Sequence, residues 1–318
     1  MMYDNPIISL STSYLQTRFE GDGYAMLQRA AELGFEYVEL GHSTTMASME
    51  GIIKAVEEGV VKVSSLHNFC PVPPFASGAV PNLFSPATKS KIESELWRKH
   101  TLNTLDFATQ TKAKAIVAHC GRLSYFLFPP EKDVLKFTDK MIPAELAENK
   151  KYLKIAKTFV EKTTKSAFKK DYKNLVKNLE SIEENLKESG VVIGIENREG
   201  VGELPLDWTF KKLFELLGER EFIKVWHDVG HSKIKDLKCL YSQQQLIEDT
   251  YEQIVGWHLH DCSDTAKDHS AIGKGSIDFN TLKQYFNPQK HIFTLELNHK
   301  VKTAEACDSL KRVQDLLA

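Results

Sequence analysis

The sequence predicts an α/β barrel of eight parallel strands, (β/α)8, on three observations. Short apolar runs of strand type recur along the whole chain of 318 residues. Stretches with helical periodicity separate them, and four of the runs end in acidic or imidazole residues. The runs are Ile7–Leu10, Tyr37–Leu40, Val61–Leu66, Ala115–His119, Val191–Glu196, Phe222–His227, Ile254–His258 and Ile292–Leu297. Between them, Tyr24–Leu33, Ile92–Gln110 and Leu175–Glu188 carry apolar residues at i, i+3, i+4 and i+7. Strands that alternate with helices form parallel βαβ units, and this many units close into a barrel more readily than they spread into an open sheet. No G-x-G-x-x-G follows the first strand, which disfavours a dinucleotide-binding sheet.

Glycine punctuates the helix-to-strand junctions at Gly34, Gly59 and Gly190, where a left-handed C-cap is wanted. Two connections are longer than a minimal barrel needs. Phe69–Ala87 is rich in proline; the other, an extended loop and helical insertion after strand four, runs from Arg122 to about Lys165. Long loops at the carboxyl ends of barrel strands carry function, so Tyr125, Phe126 and Phe128 are read as pocket wall. The charged remainder of the insertion reads equally as a lid or as a solvated helix. No internal repeat or linker interrupts the pattern, and one TIM-barrel domain over residues 1–318 is the simplest account.

Composition narrows the function classes. Hydrophobic residues make up 42% and charged residues 26%, ordinary for a globular protein with a sizeable core. A net charge of −2 leaves no global basic footprint, so nucleic acid is a disfavoured partner. The five cysteines are scattered without a C-x-x-C pair, which argues against a disulfide framework. The amino terminus has no signal-peptide pattern and no apolar run is long enough to span a membrane. A cytoplasmic protein is expected, and self-association as a homodimer or tetramer is left open.

The chemistry sits at the strand ends. Glu196, Asp228, His258 and Glu296 close runs five to eight, and the carboxyl ends of neighbouring barrel strands converge. Three carboxylates and one imidazole form a hard donor set suited to Mn²⁺, Mg²⁺ or Co²⁺ and acceptable to Zn²⁺. His67 and His119 end runs three and four at the same mouth. Alternation points Trp226 inward one layer below Asp228 and turns Trp257 away from the axis.

The chain resembles the xylose isomerase-like barrels, which include sugar isomerases, sugar epimerases and endonuclease IV. The resemblance rests on IENRE (Ile195–Glu199), HDVGH (His227–His231), HLHD (His258–Asp261), Asp268–Gly275 and LELN around Glu296. It implies that Glu196, Asp228, His258 and Glu296 are metal ligands. His260 rivals His258 for the imidazole position, because H-x-H on a strand points both rings to one side. Asp261 is expected to orient a ligand. His231 becomes a substrate contact, as in ketose epimerases, or a ligand of a further metal, as in the nuclease. His67 and His119 likewise become substrate contacts or ligands of a second metal.

The resemblance implies isomerisation or epimerisation of a keto-sugar, polyol or cyclitol. A proton leaves the carbon beside a carbonyl through a metal-stabilised enediolate, with Glu196 and Glu296 as ligands and acid/base pair. Arg198 and Glu199 reach sugar hydroxyls, and Phe69, Phe75, Tyr125 and Phe126 are candidates for an aromatic platform. Endonuclease IV-type phosphodiester hydrolysis is the competing enzyme reading, and a non-catalytic sugar-binding barrel is the reading from another class. The nuclease pattern requires an Asp two residues before His269; Lys267 stands there, which counts against a complete three-metal cluster. The alternative roles are a phosphate or sugar-hydroxyl contact for Lys267 and a substrate contact or second-metal ligand for His269.

Overall fold

The structure is a computed structural model that describes residues 2–19, 21–76, 80–125 and 129–318. It is a closed barrel of eight parallel strands in sequential order. They are β1 (Ile7–Ser11), β2 (Tyr37–Leu40), β3 (Lys62–His67), β4 (Ala115–Ala118), β5 (Val192–Glu196), β6 (Ile223–Asp228), β7 (Ile254–Leu259) and β8 (Ile292–Leu295). Strand β8 returns to pair with β1, with Ile7 opposite Ile292, and removes both sheet edges. Each expected strand is present, with ends shifted by at most two residues.

Two apolar layers hold the barrel. Outward residues such as Val38, Leu66, Ile193, Trp257 and Phe293 pack against the helices in one continuous core. Inside, Ile7, Ala115, Val117, Trp226 and Ile292 fill the lower half. The Trp226 indole is accommodated because Gly256 faces it; a Cβ at residue 256 would stand 2.3 Å from the ring. Above this layer the interior turns polar. The Ser9 and Ser64 hydroxyls lie 2.6 Å apart, and Ser64 donates to the Val38 carbonyl at 3.1 Å.

Gly34, Gly59 and Gly190 have φ of 91°, 73° and 69°, the left-handed caps their positions call for. The run Leu175–Glu188 is not one helix. It divides into Tyr172–Glu180 and Glu183–Ser189. At the break the Arg98 guanidinium takes the Ser181 carbonyl, and the Ser181 hydroxyl bonds back to the Asn178 carbonyl.

The insertion after β4 is helical over Glu131–Thr138, Pro143–Glu148 and Lys150–Lys170. Its inner face is packed: Val134, Leu146, Tyr152, Ala156 and Phe159 form a satellite core with Val201 and Leu240, from the segments after β5 and β6. Tyr152 donates to the Lys238 carbonyl at 2.6 Å. Its lysines are largely exposed, and the packed inner face sets the insertion as a wall beside the carboxyl ends of β5 and β6.

Candidate metal centre

Local structure delivers each side chain to the mouth of the barrel. Glu196 ends β5, and Asn197 after it ties β5 to β6: its Nδ2 donates to the Asp228 carbonyl at 2.9 Å, and its Oδ1 accepts the Asp228 amide at 2.8 Å. Asp228 ends β6 and caps the helix Val229–Leu237 by accepting the His231 amide at 2.7 Å. His258 and His260 share the inward face of β7 and its continuation. The Glu296 amide donates to the Leu259 carbonyl at 3.2 Å, which carries the β7–β8 alignment one residue past β8. Glu196, Asp228 and His258 are fully buried, and Glu296 is 8% exposed.

His258 is the hub of this arrangement. Its Nδ1 lies 2.8 Å from Glu196 Oε1, 3.4 Å from Glu296 Oε2 and 3.7 Å from Asp228 Oδ2. Its Nε2 lies 3.0 and 3.2 Å from the two oxygens of Glu39, a fully buried carboxylate on β2. Glu39 also accepts the Ser65 hydroxyl at 2.8 Å and stands 3.3 Å from His67 Nε2. Glu39 is absent from the sequence-derived set. A lone Glu in a four-residue run carries no motif, and the one usable signal was its place next to the strand end, like that of the other acids.

Burial by itself would raise these carboxyls, but the surrounding cations win. His258 and His67 bring Glu39 down to about 2. Arg198, His258 and His119 hold Glu196 well below the usual carboxylate range. His258 and His67 do the same for Glu296. Conversely, burial would depress His67, yet Glu39 and Glu296 raise it to about 9. The buried carboxylates and His67 thus hold one another in their charged forms, whereas burial lowers His119 to about 4.

The other predicted residues divide between this centre and its rim. His260 donates from Nε2 to both oxygens of Asp228 at 3.0 Å and accepts the His269 amide at Nδ1, 2.8 Å away. His231 donates from Nδ1 to the Asn197 carbonyl at 3.0 Å, leaving Nε2 aimed toward Glu199 at 4.0 Å and Asp268 at 3.8 Å. His269 bonds the Glu296 carbonyl through Nδ1 at 2.9 Å. Lys267 is exposed, in a turn where the Ser263 amide donates to its carbonyl, and it stands outside the convergent group. Asp261 differs from expectation: it orients no ligand but accepts the amides of Cys262, Gly273 and Ile277, pinning the loop that carries His269.

A second group of imidazoles adjoins the first. His67 and His119 meet His42, from the residue after Gly41, with ring centroids 4.1 and 5.2 Å from His42. Among the described residues, the buried Nδ1 atoms of all three have no hydrogen-bond partner. His119 Nε2 lies 2.6 Å from Glu196 Oε2, and Arg198 Nη1 lies 3.1 Å from the same oxygen. His42 also went unnoticed in the sequence, since it follows β2 without a motif.

Trp226 lies beneath, its ring 5.4 Å from His258, and Trp257 faces the helices, donating to His291 Nδ1 at 3.0 Å. Of the expected aromatic residues, Phe69 is buried against Phe84 and His100, Phe75 is exposed, and Tyr125 is half-buried. Phe126 and Phe128 lie outside the described residues. A cavity of about 1190 Å³ opens at the opposite end of the barrel, lined by Asn5, Lys62, Lys114 and Val191 among others, and shares none of the clustered acids and imidazoles.

The residues fit a divalent ion. One potential ligand atom from each of Glu196, Asp228, His258 and Glu296 lies within 4.8 Å of the others, and oxygen-rich sets with one imidazole suit such ions.

Similarity to known proteins agrees with the architecture. Crystal structures of a D-tagatose 3-epimerase-like protein (TM-score 0.63, 16% identity, 98% of this chain and 97% of that one) and of L-ribulose 3-epimerase (0.65, 12%, 98% and 94%) share the fold. So does an AP endonuclease, family 2, from Brucella melitensis (0.64, 14%, 97% and 98%). An uncharacterised protein of Methanocaldococcus jannaschii is 31% identical over 152 residues, 46% of this chain; the match spans only 57% of that relative. A family model described as xylose isomerase-like TIM barrel matches residues 27–313. The chain belongs to the xylose isomerase-like TIM barrel family.

Proposed function

We propose that the protein is a divalent-metal-dependent sugar isomerase or epimerase that acts on a keto-sugar or related polyol or cyclitol. One observation carries the reading: Glu196 and Asp228, at the ends of β5 and β6, and Glu296, just after β8, all approach Nδ1 of the imidazole of His258. Glu196, Asp228, His258 and Glu296 would hold the ion. Once bound, it would supply electrostatic stabilisation to the charge that develops when a proton leaves a carbon beside a carbonyl.

The chain's own groups do the rest. Glu196 and Glu296, on β5 and just after β8, take and return the proton through their carboxylate oxygens. Arg198 and Glu199, with His231 Nε2 directed at the same rim, are placed to bind hydroxyls. The packed helical insertion walls the mouth beside them and limits the entry of water. The sugar epimerases that share the fold support a carbohydrate substrate.

A second reading, phosphodiester hydrolysis of nuclease type, draws on the additional imidazole groups His42/His67/His119 and His231/His260/His269. Metal content separates the two. About one Mn, Mg or Co per chain, together with exchange of a keto-sugar proton for solvent deuterium, supports the isomerase. Two or three zinc ions with hydrolysis of a model phosphodiester would replace it. Sugar binding without exchange at full metal occupancy would point to a non-catalytic barrel.

A further inference from the structure

His258 belongs to two different groups of potential ligands. Glu196, Asp228 and Glu296 surround its Nδ1, while Glu39, His67 and Glu296 form a second buried set with it. A neutral imidazole has one nitrogen with a free lone pair and one that carries the proton. It can complete only one of these sets, so something must select the nitrogen.

We propose that Glu39 makes the selection: it is the positioning residue of His258, accepting a hydrogen bond from Nε2–H so that Nδ1 is committed to the ion held by Glu196, Asp228 and Glu296. Both Glu39 oxygens lie within hydrogen-bond distance of Nε2, at 3.0 and 3.2 Å, the approach of one N–H to a carboxylate. Glu39 is also engaged elsewhere. Ser65 donates to Oε2 at 2.8 Å, and His67 Nε2 stands 3.3 Å from Oε1. These contacts hold the carboxylate against β3 at full burial, so it is fixed in place before any ion arrives. On the Nδ1 side the three carboxylates come from β5, β6 and the end of β8 and make up an ion's remaining protein ligands. A carboxylate on the far nitrogen of a ligating histidine sets its tautomer and ring orientation, and removing one typically weakens metal binding ten- to a hundred-fold.

The inference rests on the metal-dependent reading, and the test separates the two. In ¹⁵N-labelled full-length protein loaded with Zn²⁺, long-range ¹H–¹⁵N correlation reports which nitrogen of His258 keeps its proton, with His258→Gln supplying the assignment. We expect the proton on Nε2 and the ion on Nδ1. In chelator competition with Mn²⁺, Glu39→Leu should bind ten- to a hundred-fold more weakly. Glu39→Gln, whose amide oxygen still accepts Nε2–H, should recover most of that loss. An ion on Nε2, or a cooperatively folded Glu39→Leu protein with wild-type affinity, overturns the role of Glu39 and leaves the metal reading standing. Wild-type protein that takes up neither ion overturns both.

Discussion

Gly230 lies flush against the imidazole of His260, so close that a Cβ at residue 230 would stand 2.0 Å from Cε1. The helix after β6 can begin there only because that side chain is missing, and the contact keeps His260 aimed at both Asp228 oxygens. Gly230→Ala should displace the ring, cost on the order of 1–3 kcal/mol and weaken divalent-ion binding about tenfold. Thermal melts with and without Mn²⁺ and a chelator competition would register both effects; an unchanged Tm and affinity would show that the ring position is immaterial.

Glu196→Gln and Glu296→Gln are each expected to slow exchange of the substrate's α-proton with solvent deuterium by about 10²–10⁴. Because each residue is also a proposed ligand, metal content must be measured in the same samples. Slow exchange at full metal occupancy assigns the loss to proton transfer; wild-type exchange in either variant removes that residue from the acid/base pair.

His291 gives a pH dependence remote from the centre. Its Nδ1 accepts Trp257 Nε1–H at 3.0 Å and the Asn287 amide at 3.1 Å, so a proton on Nδ1 must break both bonds. Burial, with Lys290 nearby, lowers it from 6.5 to about 4. The fold therefore favours neutral His291, and its contribution is complete above pH 6.5 and declines as pH falls toward 4. The limiting loss is on the order of 3 kcal/mol. Urea titrations at pH 7 and 4.5 should show a smaller acid penalty for His291→Gln than for wild type, and equal penalties would refute the assignment.

Trp226→Ala empties the space between the lower apolar layer and His258, and large-to-small changes of this kind cost roughly 3–5 kcal/mol. Denaturant melts would measure it. A cost below about 1 kcal/mol would mean that the interior collapses onto the gap.

The barrel was legible because its signals repeat: runs such as Val192–Ile195 and Ile292–Leu295 are mostly apolar and buried on both faces, as strands covered inside and out must be. Glu196, Asp228, His258 and Glu296 were legible because each ends or directly follows such a run. Glu39 and His42 were not, since β2 has four residues and its acid resembles an ordinary polar position. What marks Glu39 is contact with His67 and His258, and the latter lies 219 residues away. Asp261 misled for a related reason. Its partners are backbone amides up to sixteen residues downstream, and an amide has no letter in the sequence.

The buried Trp226, seated under His258 and closed in by Ile7, Val117 and Ile292, makes the barrel a cup rather than a pipe. On the proposed function, substrate and product use the rim, where the acids and imidazoles lie on the side of the indole away from the lower layer. The broad hollow at the other end lies on the far side of this indole and shares none of the clustered acids and imidazoles. Evolution can therefore reshape that far end without disturbing what happens above the indole.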